Sequence, residues 1–166
     1  MKSLIVYSSL TGNTRAVAEA IREVIPVPCD FTAVEQAPDP SSYDFIAIGY
    51  WVDKGGPDKK AAAFMETVKD KRVGLFGTLG AYPDSDHARD CKAKAENLMA
   101  GNLVLGQFLC QGKIDPKVLE AMARMAPEQH PMTEERKARI EEAKKHPDKA
   151  DFKAAQAAFS RMVDKM

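Results

Sequence analysis

The sequence predicts one α/β domain, in which a parallel five-stranded sheet is covered by helices on both faces. Short apolar segments rich in β-branched residues alternate with amphipathic segments through residues 2–111. This alternation is typical of doubly wound sheets. The chain has 166 residues, 45% of them hydrophobic, which is enough for a single well-packed core. We therefore treat residues 1–166 as a single domain.

Five segments have the apolar character of buried strands. They are Lys2–Tyr7, a weaker Cys29–Thr32, Phe45–Gly49, Arg72–Thr78 and Leu103–Gln111. Between them, apolar residues recur at helical spacing in three segments. These are Asn13–Val24, the segment from Asp58 to Val68, and His87–Ala100. Asp58 and Asp86 precede the second and third of these helices, so we expect each to cap the helix that follows it.

The tail after the fifth strand predicts three more helices, over Pro116–Ala126, Thr133–Lys145 and Asp148–Met166. The last has the widest apolar stripe, so we assign it to cover the fifth strand. Residues 113–147 are then an insertion or elaboration, which has two interpretations. It is a solvated packing extension, or it forms a partner or dimer surface with the loop Leu79–Asp86. In the second case three methionines supply adaptable contacts, Met122, Met125 and Met132.

Composition excludes several classes of function. The 24 basic residues balance the 24 acidic ones, so nothing indicates binding to a nucleic-acid backbone. No apolar run approaches the roughly 20 residues that span a bilayer. Neither the cysteines nor the histidines have metal-site spacing; they are Cys29, Cys91 and Cys110, and His87, His130 and His146. We expect a cytoplasmic protein with reduced, structural cysteines, surface or capping histidines and no bound metal.

A polar loop, SSLTGNT at Ser8–Thr14, separates the first strand from the first helix. Ligands of parallel α/β sheets bind beyond the carboxyl ends of the strands, and a helix N-terminus favours an anion. Gly12 permits close approach of the backbone, and Ser9, Thr11, Asn13 and Thr14 supply neutral donors. A phosphate fits this set of groups. The alternative is an ordinary polar turn capped by Thr11 or Asn13.

The loop lacks the lysine of a GxxxxGK[ST] motif and has one glycine where GxGxxG has three. It therefore suits a single terminal phosphate held by hydrogen bonds. SLTGNT at 9–14 resembles the flavodoxin pattern [ST]-x-T-G-x-T, which in that family holds the phosphate of FMN. The resemblance covers residues 1 to about 116, including Gly112–Pro116 after the fifth strand. It implies a flavodoxin-like sheet of strand order 2-1-3-4-5 and a non-covalent FMN.

The resemblance also implies the cofactor-binding residues. The phosphate loop is Ser9, Leu10, Thr11, Gly12, Asn13 and Thr14. The flavin ring would lie between one loop of Tyr50, Trp51, Val52, Asp53, Lys54 and Gly55 and another containing Thr78, Leu79, Gly80 and Tyr82. Three alternatives remain open from the residues alone. Trp51 is a plug over the sheet, Tyr50 points into the core, and Gly55 belongs to a tight turn.

No side chain is predicted to act as acid, base or nucleophile, because a bound flavin performs the redox chemistry. The predicted function is transfer of one or two electrons to a protein redox partner, either a reductase or a terminal oxidoreductase, by a monomer or dimer. The alternatives are an FMN-dependent NAD(P)H or quinone oxidoreductase and a cofactor-free binding module. Flavodoxins are usually acidic, whereas this chain is neutral overall, so partner recognition would depend on local patches.

Overall fold

A computed structural model describes residues 1–125 and 131–166 of the chain. Its strands are β1 Ser3–Tyr7, β2 Cys29–Ala33, β3 Phe45–Asp53, β4 Gly56–Pro57, β5 Arg72–Leu79 and β6 Leu103–Gln111. Its helices are α1 Asn13–Arg22, α2 Lys59–Thr67, α3 Asp86–Leu98, α4 Pro116–Met125, α5 Glu134–Ala143 and α6 Lys149–Val163. Ala126, the predicted end of the first tail helix, and His130 lie outside the described residues.

Five strands form a parallel sheet in the order β2-β1-β3-β5-β6, and the two-residue β4 pairs antiparallel with the end of β3. Counted without β4, this is the order 2-1-3-4-5. The predicted fold class is therefore confirmed. The order reverses beside β1, so the carboxyl ends of β1 and β3 open onto the switch point where such sheets bind ligands.

Alternate residues of β1 point into two separate apolar layers. Leu4 and Val6 pack into the layer under α2 and α3, whereas Ile5 and Tyr7 pack into the layer under α1 and α6. Helices therefore cover both faces of the sheet, as the period of two along a strand requires. None of the helices within 1–125 and 131–166 is long and apolar enough to cross a membrane.

Helix α6 lies against α1 and against β5 and β6, as its apolar stripe predicts. Phe159 of α6 is fully buried and meets Phe76 edge to face, with ring centroids 5.8 Å apart. Gly74 in β5 makes room for this packing, because a Cβ there would lie 2.8 Å from both Phe159 and Met162. A buried aromatic contact thus attaches the end of the described chain to the middle of the sheet.

Candidate functional site

The β1–α1 turn, the ends of β3 and β5 and the segment after β6 line a cleft at the carboxyl edge of the sheet. Ten of its lining residues were predicted from the sequence, namely Ser9, Leu10, Thr11, Asn13, Thr14, Trp51, Val52, Thr78, Leu79 and Gly80. The structure therefore brings residues from all three predicted cofactor loops together. The wall is mixed: hydroxyls and amides lie at the β1–α1 turn, and apolar side chains lie at the ends of β3 and β5.

The turn before α1 is built on Gly12. This residue is the N-cap of α1 and has a φ of 94°, in the left-handed region that favours glycine. No side chain caps the helix, so the capped turn at Thr11 or Asn13 does not form. Instead, the Ser9 hydroxyl accepts the N–H of Gly12 at 3.0 Å. The same hydroxyl also accepts the N–H of Arg15, in the first turn of α1, at 3.4 Å. Apart from Gly12 and its chain neighbours, no heavy atom lies within 4 Å of the place where a Cβ of Gly12 would be, so a ligand can approach this turn closely.

Thr14 and Asn13 hold this turn in place with their side chains. The Thr14 hydroxyl is buried, 2.9 Å from the Thr78 hydroxyl and 3.4 Å from the Tyr50 carbonyl oxygen. The Asn13 amide donates to the Lys113 carbonyl at 2.9 Å. From the sequence, both side chains were expected to donate hydrogen bonds to a phosphate. In the structure these groups already bond to the protein, so their main effect is to fix the position of the backbone amides.

Tyr50 is not part of the cleft, because its side chain points into the core. It is fully buried, and its hydroxyl donates to the Gln107 side-chain oxygen. Burial raises the pKa of the Tyr50 hydroxyl. Successive residues of a strand face opposite sides, so Tyr50 enters the core while Trp51 lines the cleft. The Tyr50 side chain was expected to contact the cofactor. The structure corrects this expectation, because the side chain lies in the core.

The predicted loop after β3 is a β-hairpin. Strand β3 continues to Asp53, which pairs with Gly56 across a two-residue turn at Lys54 and Gly55. Both turn residues have positive φ, 52° and 84°, which matches the right-handed twist of a hairpin. Asp53, Lys54 and Gly55 therefore form the tight turn left open as an alternative. From this loop, only Trp51 and Val52 are among the residues lining the cleft.

The end of β5 and the loop after it contribute to two neighbouring cavities. Thr78, Leu79 and Gly80 line the cleft, whereas Tyr82, 40% exposed, lines a second cavity together with Gln111 and residues of α5. Helix α3 begins after Ser85, whose hydroxyl accepts the Ala88 N–H at 3.1 Å. Ser85 is thus the cap that the sequence assigned to Asp86, which is instead the first residue of the helix.

The outer wall of the cleft comes from residues that sequence reasoning left out of the site. They are Gly112, Lys113, Ile114, Asp115 and Val118. Ile114 lies against Gly80, where a Cβ would come within 2.6 Å of its side chain. Two features of the sequence pointed to this wall. Gly112–Pro116 resembles the segment after the fifth strand of flavodoxins, and apolar residues recur at helical spacing in α4.

Two contacts attach the C-terminal elaboration to the cleft. The buried Gln111 amide donates to the Gly80 carbonyl at 3.0 Å and to the Arg139 carbonyl of α5 at 3.3 Å. The Lys113 N–H donates to the His146 carbonyl at 3.1 Å. Because Lys113 also accepts from Asn13, the residues between α5 and α6 are connected to the turn before α1.

His146 lies between carboxylates of two helices. Its Nδ1 is 2.6 Å from Asp151, and its Nε2 is 3.1 Å from Glu142. The hydrogen bond to Asp151 is the largest of the effects that raise the pKa of His146. His146, Asp148 and Asp151 offer ligand atoms within 4.8 Å of one another, so they could hold a metal ion. Asp148 and Asp151 already bond to each other's backbone as the capping box of α6.

We expect protonated His146 to stabilise the fold below neutral pH. A histidine with a raised folded-state pKa contributes stability that is complete below its unfolded pKa and lost as pH rises through the folded one. Relative to His146→Gln, the wild-type free energy of unfolding should therefore fall by on the order of 1 kcal/mol between pH 6 and 8. Urea unfolding at both pH values measures this difference. An equal change in both proteins would mean that His146 is not the titrating group.

Comparisons with known proteins agree with this architecture. The sequence model for the flavodoxin domain matches residues 4–160. The chain is 34% identical over 172 residues to the flavodoxin-like domain-containing protein BilS of Clostridioides difficile strain CD3, covering 98% of this chain and 97% of that protein. Oxidised flavodoxin 2 from Bacillus cereus aligns over 100% of both chains with a TM-score of 0.64 and 16% identity.

A flavoprotein from Lactobacillus acidophilus, crystallised in complex with FMN, aligns with a TM-score of 0.55 and 19% identity over 65% of this chain and 92% of that one. At such identities the solved structures establish the likeness of fold alone. The sequence matches carry more weight, because the family model spans residues 4–160 and the relative from Clostridioides difficile is 34% identical over nearly the whole chain. The chain therefore belongs to the flavodoxin domain family.

Proposed function

We propose that the protein binds FMN non-covalently in this cleft and carries one or two electrons to a protein redox partner. The observation that supports this most directly is the turn at Gly12. The space beside Gly12, at the N-terminus of α1, is open, and an apolar wall that includes Trp51, Val52 and Leu79 lies next to it. A phosphate suits the helix N-terminus, and a flat apolar ring suits the wall.

The charges around the turn also suit a phosphate. Lys113 lines the cleft, and Lys144 and Lys145 line an adjoining cavity that contains Thr11, Gly12 and Asn13. The amines of Lys144 and Lys145 pair with Glu141 and Glu142 of α5, so we assign most of the positive potential beside the N-terminus of α1 to Lys113. The donor set therefore fits a phosphate monoester held by amides and hydroxyls, with a cation at its edge.

In this proposal the chain binds and orients the cofactor, and FMN supplies the redox chemistry when it is bound. Trp51 and Val52 would contact one side of the ring, and Thr78, Leu79 and Gly80 the other. Ile114 and Val118 would exclude water from the outer side. The family membership and the FMN-bound structural relative support this assignment.

A second candidate is an FMN-dependent NAD(P)H or quinone oxidoreductase. The cavity of about 500 Å³ beside the cleft, lined by Tyr82, Gln111 and Glu142 among others, favours it. That volume is within the usual range for small-molecule sites. A substrate there would lie next to the loop that we assign to the flavin ring.

For the carrier function, we propose that the partner docks where the β5–α3 loop and the C-terminal elaboration meet. Three large apolar side chains are well exposed on these segments and on the loop before α1: Leu10 at 51%, Tyr82 at 40% and Met132 at 54%. The protein would work in the cytoplasm as a monomer or dimer. The neutral net charge would make docking depend on such local contacts.

An absorbance spectrum of the purified protein, followed by anaerobic reductive titration, tests this function. A carrier should show a flavin spectrum and bind FMN in preference to riboflavin, and NAD(P)H alone should reduce it slowly. Rapid reduction by NAD(P)H would support the oxidoreductase instead. If FMN does not bind even when added in excess, both flavin-dependent candidates fail.

The fluorescence of Trp51 gives an independent check, because it is the sole tryptophan of the chain. We expect its emission to be quenched when FMN is added and to recover when the cofactor is removed, since the residue lines the cleft. Fluorescence titration measures both changes. Unchanged emission in a protein that binds FMN would place the flavin ring away from Trp51.

A further inference from the structure

Asp58 is a buried carboxylate between the two loops that would hold the two ends of the cofactor. It is 2% exposed. It accepts hydrogen bonds from the Ser8 hydroxyl at 2.5 Å, the Trp51 N–H at 3.1 Å and the Ala61 N–H at 3.3 Å. Its own N–H donates to the Trp51 carbonyl at 3.0 Å. The sequence predicted only that Asp58 caps α2, and the bond to Ala61 is that cap.

A helix cap alone does not require this arrangement. Capping needs one side-chain oxygen near the first-turn amides, and serine provides one as well as aspartate does. A buried carboxylate is costly unless donors satisfy it. Here two of its three donors, Ser8 and Trp51, lie outside α2, and all three are neutral groups. The additional hydrogen bonds of the carboxylate therefore connect Ser8 and Trp51 to the start of α2, which a helix cap alone would not do.

The connected segments lead directly into the site. Ser8 follows β1 and precedes the Gly12 turn, and Trp51 is one of the two β3 residues that line the cleft. We propose that Asp58 is a positioning residue that fixes the spacing between the β1–α1 turn, which would hold the phosphate, and the end of β3, which would contact the flavin ring. This inference rests on the proposed binding of FMN, which spans both loops. Riboflavin lacks the phosphate and would contact only the part of the site that holds the ring. Its binding should therefore be less sensitive to this spacing.

FMN and riboflavin should respond differently to a change at Asp58. Two linked half-sites strengthen the binding of a ligand only while the distance between them is fixed. Asp58→Ser keeps a capping hydroxyl but cannot reach Ser8 and Trp51 together. It should weaken FMN binding by about tenfold or more and riboflavin binding by much less. Without any flavin, hydrogen exchange at the Trp51 N–H should also become about tenfold faster in this variant.

Asp39→Ser is the matched control. Asp39 accepts the Ser41 N–H at 2.9 Å as the cap of a short 3₁₀ turn just before β3, at the opposite edge of the sheet from the cleft. This control should leave both flavin affinities and Trp51 exchange unchanged. Asp58→Asn, which keeps the shape and the capping oxygen, is the second variant should Asp58→Ser fail to fold.

Each outcome decides the matter. A lower ratio of FMN to riboflavin affinity together with faster Trp51 exchange supports the proposal. An unchanged ratio, or unchanged exchange, overturns it and leaves Asp58 as a helix cap. If the wild-type protein binds neither flavin, the proposed function fails, and the inference fails with it. That case is distinct because it appears in the wild-type protein before any variant is made.

Discussion

Replacing Thr11 by alanine should weaken FMN binding by roughly 10- to 150-fold while leaving riboflavin binding nearly unchanged. Thr11 is exposed and lines the cleft beside Gly12. A hydrogen bond to a charged group contributes about 1.5–3 kcal/mol, which corresponds to this range of affinity. Titration of the apoprotein with each flavin, followed by flavin fluorescence, measures both dissociation constants.

Thr67→Ala provides the control for that measurement. The Thr67 hydroxyl donates to the Phe64 carbonyl at the end of α2 and is not among the residues of the cleft. The control should alter neither affinity. Equal losses of FMN and riboflavin affinity in Thr11→Ala would show that the phosphate does not bind at this turn. The Gly12 geometry would then need another ligand.

Phe159→Ala should lower the free energy of unfolding by about 3–5 kcal/mol, the usual cost of removing a buried aromatic ring. Phe159 is fully buried, meets Phe76 edge to face, and fills the space that Gly74 leaves open. The substitution would leave a cavity against the hydrogen-bonded strands β5 and β6. Because these strands cannot easily move, we expect little relaxation into the cavity. Urea unfolding of the flavin-free protein measures the change.

A matched substitution on the same helix separates packing from helix propensity. Phe152 of α6 is only partly buried, so Phe152→Ala should cost much less than Phe159→Ala. Comparable losses would mean that burial of Phe159 is not what holds α6 on the sheet. If Phe159→Ala lowered the free energy of unfolding by less than about 1 kcal/mol, this would contradict the packing of α6 over β5 and β6.

The fold and the position of the β1–α1 turn were predictable because both depend on local sequence. Apolar strands and amphipathic helices are encoded by periodicity, and SLTGNT carries its own helix start and glycine. Tyr50 was misplaced for a related reason. Strand β3 runs past Gly49, so the strict alternation of a strand, rather than the freedom of a loop, decides which way Tyr50 and Trp51 point.

The rest of the site depends on contacts between segments far apart in the chain. Nothing near Gln111 indicates that its amide bridges Gly80 and Arg139, because the bridge requires α5 to be in place. Asp58 is similar: its capping role is local and was predicted, whereas its bond to Ser8 joins residues 50 positions apart. Sequence patterns identify such residues only when a neighbouring motif already marks them.

The position of α6 in the chain has a consequence for biosynthesis. Every strand and every loop of the cleft precedes α6 in sequence, yet α6 covers one face of β5 and β6. While the ribosome is still translating the elaboration, that face of the nascent sheet has α1 but lacks α6, so part of the apolar layer around Phe76 and Phe45 is uncovered. Chaperones that bind apolar segments would recognise this intermediate. Emergence of α6 would then cover β5 and β6 and release the chain from them, so this face of the sheet is complete only after the elaboration has been translated.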